Sequence, residues 1–172
     1  MFSKIDAFII KYSTIKITLI LLALFFGFAF IVFPKFSPSD TNVKPLDIQY
    51  FYHSNDVYNT LDQFSASELK LYAISEATND TIYPIIYTCM LCFALFLLYK
   101  NLTLAKAPLI VMLLDYIENT GIIILIKNYP KHLDGFANFI GLISGLKWSA
   151  ALVVVIIIFV GLLNNLKKLA FK

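Results

Sequence analysis

The chain has 172 residues, 59% of them hydrophobic and only 15% charged, with a mean hydropathy of +0.77. A soluble globular domain is nearer half apolar and a quarter charged, so the surplus apolar surface here has to face lipid. The net charge of +3 rests on lysine alone, without arginine, which argues against bidentate phosphate recognition, and nothing in the sequence points to a nucleic-acid partner.

In chain order, residues 1–14 place Phe2, Ile5, Phe8 and Ile9 at helical spacing with lysines off that face. This predicts a short amphipathic helix on the membrane surface ahead of the first span. The span itself, 15–33, is an apolar run of ~19 residues, beyond the 7–15 of a secretory signal core. No small-x-small cleavage pattern follows at Phe33-Pro34-Lys35-Phe36. The segment is expected to stay as an anchor. The connection 34–81 opens with Pro34, Pro38 and Pro45, read as extended. Ser54 is expected to cap a helix carrying Val57, Tyr58, Leu61 and Phe64. Ser65-Ala66-Ser67-Glu68 fits a capping box that starts a second short helix with Leu69, Tyr72, Ala73 and Glu76 on one face. Asn79 or Asp80 is then expected to cap a second span, 82–99, with Pro84 in its first turn, where a missing N–H costs little. Third and fourth spans follow at 107–126 and 137–163. Each of the four suits a hydrocarbon core of ~30 Å, which needs about 20 helical residues. The expectation is one all-α domain over 1–172: an integral membrane four-helix bundle with a short helical extracytoplasmic loop between spans one and two.

The lysines give the orientation. Lys4, Lys11, Lys16, Lys100, Lys106, Lys167, Lys168 and Lys172 fall on one side, against the single acid Asp6. The other side has fewer lysines and most of the acids: Asp40, Asp47, Asp56, Asp62, Glu68, Glu76, Asp80 and Asp134. Lysine excess marks the cytoplasmic face, so both termini are expected inside and the long loop outside.

Within the third span, Asp115, Glu118, Asn119 and Ile122 are spaced i, i+3, i+4, i+7 and share one stripe. A charged side chain at mid-bilayer costs roughly 2.5–3.5 kcal/mol on insertion scales, so the stripe should face protein and meet a partner. Glu118 lies about 13 Å below the outer end of its helix, and Lys147 in the fourth span about 15 Å below the same surface. Lys147 is therefore the expected counter-ion of Glu118 or Asp115. Asp80, Tyr83 and Tyr87 from the second span, with Thr120 and Trp148, complete the expected outer-half cluster. Gly141, Ser144 and Gly145 are small residues spaced for a close helix contact.

Asp80-Thr81-Ile82-Tyr83-Pro84, Asp115-Tyr116-Ile117-Glu118-Asn119 and Leu146-Lys147-Trp148, taken in order, resemble a group of uncharacterised bacterial four-span membrane proteins. In that group an acid and an aromatic-Pro open span two, Asp-x-x-Glu-Asn sits in span three, and Leu-Lys-Trp sits in span four. The chain departs from the group in having no glycine between residues 64 and 72. The resemblance implies four spans, a bacterial inner membrane and this polar cluster, and it brings no reaction.

Other chemistry is weakly signalled. Cys89 and Cys92 form a Cys-x-x-Cys, but they are the only cysteines, and thiol exchange with a quinone-type centre needs a second pair. They read as small packing residues. His53 and His132, the only histidines, have no ligand spacing and read as solvated, so no metal and no cofactor is expected. Two functions remain open. One is a small membrane protein binding or modifying an amphipathic, lipid-like molecule at Asp115, Glu118, Asn119, Lys147, Tyr83, Tyr87, Asp80 and Trp148. The other is a scaffold or accessory subunit, with a protein partner or a second copy, whose polar core serves packing alone. Whether the chain is an enzyme stays open between them.

Overall fold

The computed structural model describes residues 3–36 and 44–170, with side chains to 168. Phe2, Pro38, Asp40 and Lys172, which entered the sequence reading, lie outside the described residues. Among the described residues the structure is helical without a strand. Its α-helices are α1 (Lys4–Tyr12), α2 (Ile15–Gly27), α3 (Ser54–Leu61), α4 (Ala66–Tyr99), α5 (Leu102–Ala105), α6 (Pro108–Asn128) and α7 (Asp134–Ala170). Four segments are long and apolar enough to cross a membrane: Ile15–Lys35, Ala66–Tyr99, Leu102–Asn128 and Asp134–Lys168.

Local chemistry sets the helix ends. In α1 the Ser3 hydroxyl accepts from the Asp6 N–H while the Asp6 carboxylate accepts from the Ser3 N–H, and Ile9 is the residue it buries. The Asp6 carboxylate also holds Lys106 at 2.8 Å, which ties α1 to the α5–α6 turn. Ser65 and Glu68 form the expected capping box at the start of α4. That helix stops at Lys100, whose φ of 54° is the left-handed stop more often taken by glycine. At α3 the cap is His53 and not Ser54. Asp56 takes the His53 N–H at 2.8 Å, while the Ser54 N–H goes to Asn138 of α7 at 2.8 Å.

The second span differs from expectation. No cap forms at Asn79 or Asp80, and the two pieces foreseen as a loop helix and a span are one continuous helix, α4. The run Ala77-Thr78-Asn79-Asp80-Thr81 holds neither glycine nor proline. The modest propensity cost of Asn, Asp and Thr is outweighed by packing along the whole length. Pro84 therefore sits in the helix interior. It removes the amide that would bond the Asp80 carbonyl. At ~1.5 Å per residue α4 extends about 51 Å, longer than a ~30 Å hydrocarbon core requires.

α4, α6 and α7 pack against one another, and α2 lies along α4. Two apolar layers result. Leu46, Tyr52, Val57, Leu61, Tyr72, Ile122, Leu125 and Ile140 form the layer toward the long connection. Ile9, Tyr87, Phe93, Leu95, Val111 and Val154 form the layer toward the termini. On each core helix the polar residues fall between these layers: 76 and 80 on α4, 115, 118 and 119 on α6, 144 and 147 on α7. The outward faces of the segment Ile15–Lys35 and of the second half of α7 stay apolar and exposed, as with Leu19, Phe30, Val155 and Phe159.

The connection packs down on this end of the molecule. A short 3-10 turn (Leu46–Ile48) leads into an extended run that crosses α7 at Gly141. A Cβ at Gly141 would come within 1.8 Å of the Tyr52 carbonyl oxygen, so only glycine allows the approach. The small residues of the fourth span thus admit loop backbone, where a neighbouring helix was expected. Farther along, Tyr129 donates to Asp62 at 2.5 Å, Tyr58 accepts from the Leu133 N–H, and His132 stacks on Tyr58 with centroids 3.7 Å apart. His132 is exposed beside Asp134, as expected, and in addition stacks on α3.

Candidate functional site

The site is organised by Lys147, 7% exposed. Its ammonium meets the Glu118 carboxylate at 2.5 Å, the Asp115 carboxylate at 3.1 Å and the Asp47 backbone carbonyl at 3.0 Å. An ammonium carries three donors; two are hydrogen-bonded, to Asp115 and the Asp47 carbonyl, and the Glu118 contact is an ion pair. The expected counter-ion contacts both acids, because one helical turn of α6 sets them side by side across from α7.

The acids have further partners. The second oxygen of Asp115 accepts from the Tyr87 hydroxyl at 2.8 Å. The second oxygen of Glu118 accepts from the Tyr52 hydroxyl at 3.3 Å. Ser144 donates to the Gln49 carbonyl at 2.8 Å, which fixes the extended run over the cluster. Asp47 accepts from the Tyr72 hydroxyl at 2.9 Å, and Tyr72 in turn accepts from the Leu46 N–H. Burial pushes the Asp47 carboxyl above its ordinary range, against the opposing pull of Lys147. Burial and the facing Glu118 likewise push the Tyr52 hydroxyl up, so it stays a donor.

Asn119 and Asp80 meet through the backbone. The Asn119 amide donates at 2.8 Å to the Asp80 carbonyl, the group that Pro84 leaves without a helical partner. Tyr116 donates to the next carbonyl, Thr81, at 2.9 Å. The Asp80 carboxylate accepts from Ser75 at 3.2 Å.

Two residues foreseen in the cluster stand apart from it, and a third touches it only at its edge. Tyr83 packs among rings, stacked on Phe25 at 5.2 Å and edge-on to Phe33 and Tyr87, and its hydroxyl has no hydrogen bond among the described residues. It faces α2 because it stands one turn before Tyr87 on the side turned to that helix. Trp148 is exposed on the outer face, yet its ring centroid lies 5.1 Å from the Lys147 ammonium, a cation–π contact at the edge of the cluster. Thr120 is also exposed and only bonds back to the Tyr116 carbonyl.

Asp47, Tyr52 and Glu76 join the site without having been foreseen in it. The first two come from a connection whose path over α7 has no periodic signal. Glu76 did have one. Tyr72, Glu76, Asp80, Tyr83 and Tyr87 follow helical spacing through what was divided into two segments. Glu76 is 1% exposed, it faces Asp47, Asp80, Glu118 and Lys147, and neither of its carboxylate oxygens has a hydrogen-bond partner. The Asn119 side-chain oxygen is also buried without one.

A separate apolar groove of about 410 Å³ runs between α6 and α7, lined by Tyr116, Ile117, Thr120, Ile124, Phe136 and Phe139 among others. It lies on the opposite face of α6 from Asp115 and Glu118, so it does not open onto the polar cluster. Cys89 and Cys92 are both free, the first half-buried and the second buried. Among the described residues no three His, Cys, Asp or Glu side chains are placed to hold a metal ion. Comparison with family models, with curated proteins and with solved structures gives no match.

Proposed function

We propose that the chain is a small integral membrane protein whose buried cluster, around Asp115, Glu118, Asn119 and Lys147, receives the polar head of an amphipathic molecule. In this reading the four long apolar helices span a bacterial inner membrane as one bundle. Both termini are cytoplasmic, and the loop over the site is extracytoplasmic. The lysine asymmetry supports that orientation, and the ordered Asp-x-x-Tyr-Pro, Asp-x-x-Glu-Asn and Leu-Lys-Trp motifs support the membrane assignment.

Glu76 carries the reading. A polar core that served only to fix helix register would satisfy its own groups, since each unpaired buried acceptor costs about 1–3 kcal/mol and a charged one more. The Tyr52 and Tyr87 hydroxyls are committed and the lysine faces three oxygens, yet a fully enclosed carboxyl is left over. That surplus fits a site completed by something outside the chain. A second reading, a scaffold or accessory subunit, draws on the opposite observation: Lys147, Asp115 and Glu118 neutralise one another without help.

Native mass spectrometry of protein extracted in mild detergent separates the two. Site binding predicts a retained amphipath whose occupancy falls in Asp115→Asn. A protein that flies bare, with Asp115→Asn cells indistinguishable from wild type, favours the scaffold.

A further inference from the structure

The hydrogen-bonding state of the cluster restricts what can complete it. Near Glu76 four donor groups are engaged: Lys147 on three oxygens, Tyr52 on Glu118, Tyr72 on Asp47, and Ser75 on Asp80. Both carboxylate oxygens of Glu76 and the side-chain oxygen of Asn119 remain without a hydrogen bond, while Glu118 Oε2, also without one, is ion-paired to Lys147 at 2.5 Å. Glu76 and Asp80 are one turn apart on the same face of α4, and Asn119 reaches the Asp80 carbonyl at 2.8 Å, which brings these acceptors to one level of the molecule. The buried Thr88 hydroxyl, also without a partner, is about 18 Å farther along α4 and belongs elsewhere.

Charge points the same way. Asp47, Asp80 and Glu118 face Glu76, and Lys147 is the cation facing it. A phosphate or carboxylate head would add negative charge among these acids, while the donors of Lys147, Tyr52, Tyr72 and Ser75 are already engaged. An ammonium would find what Lys147 itself finds here: oxygens within 2.5–3.1 Å on more than one side. Charge-assisted bonds of this kind are about twice as strong as neutral ones.

We infer that the molecule completing this site presents a cationic nitrogen with N–H donors, a primary amine head on an apolar tail, and that Glu76 and the Asn119 side-chain oxygen receive it. The inference rests on the head-group reading above and specifies its chemistry. Dodecylamine, dodecanol and dodecyl phosphate, added at equal mole fraction to the protein in lipid nanodiscs, provide the test, with thermal unfolding as the readout. Dodecylamine is expected to raise Tm by about 5 °C at saturating ratio, with the alcohol and the phosphate giving little. In Glu76→Gln and Glu76→Met, neutral and close in volume, that rise should vanish, while Tm without additive stays level or increases because an unpaired buried carboxyl has gone. An equal or larger rise with the alcohol or the phosphate would overturn the amine assignment and keep a head-group site. No rise with any of the three would remove the head-group reading along with it. A large loss of Tm in both Glu76 variants without additive would show that the carboxyl is already partnered, and would overturn the inference at its premise.

Discussion

Pro84 and Asn119 are complementary across the α4–α6 interface: the proline deletes the amide that would bond the Asp80 carbonyl, and the asparagine side chain supplies a replacement donor at 2.8 Å. A polar residue in the middle of an apolar helix thereby acquires a structural task that needs no ligand. Two motifs that look unrelated in sequence, Tyr-Pro in one span and Glu-Asn in the next, become one interaction.

Replacing Asn119 with leucine is expected to cost about 1–2 kcal/mol, because it leaves a buried carbonyl unpaired. In a Pro84→Ala background the helix supplies its own N–H, and the same replacement should cost less than half as much. Reversible unfolding of the four proteins in mixed micelles checks this. Equal costs in both backgrounds would break the link.

The cluster was partly legible in the sequence. The i, i+3, i+4 stripe in α6 and the matched depth of Lys147 identify the ion pair, because both follow from helix geometry alone. The continuity of α4 was hidden by Asn79, Asp80 and Pro84, a local pattern that resembles a helix start. Treating it as one concealed that Glu76 belongs to the stripe leading to Tyr87. The roles of Asp47 and Tyr52 depend on how an extended chain crosses α7, and that path is set by tertiary contact at Gly141, which no residue pattern announces.

Gly141→Ala should detach the connection from α7, since its Cβ would fall on the Tyr52 carbonyl. Rapid proteolysis between residues 44 and 53, with a destabilisation of about 2 kcal/mol or more, is the expected result. Gly135→Ala, on the same helix with open space around it, serves as the control. It should be neutral or stabilise by up to about 1 kcal/mol.

The raised Asp47 carboxyl has a pH signature. A group with a higher pKa in the folded state binds its proton more tightly there, so its contribution to stability falls as pH rises from the ordinary carboxyl value toward the raised one. Asp47→Asn keeps an oxygen for Tyr72 and removes the titration. Stability of this variant measured from pH 4 upward should show a shallower decline than wild type, with the two closest at the acid end.

The orientation is open to direct labelling. Asn55→Cys and Lys4→Cys, both at exposed positions, placed in a Cys89→Ser, Cys92→Ser background, should differ. A membrane-impermeant maleimide added to intact cells is expected to label position 55 and spare position 4. The reverse pattern would invert the topology. The cysteine-free background itself should keep wild-type stability within about 1 kcal/mol, as small packing residues allow.

The centre of the site is the mutual compensation of Lys147 and its acids, and a double-mutant cycle on Lys147 and Glu118 tests it most directly. Lys147→Met alone should cost about 3–5 kcal/mol, because two acids lose their buried cation. Glu118→Gln alone should cost less, since Asp115 still holds the lysine. The double variant should recover at least 1 kcal/mol relative to the sum of the singles. Strictly additive losses would contradict the account.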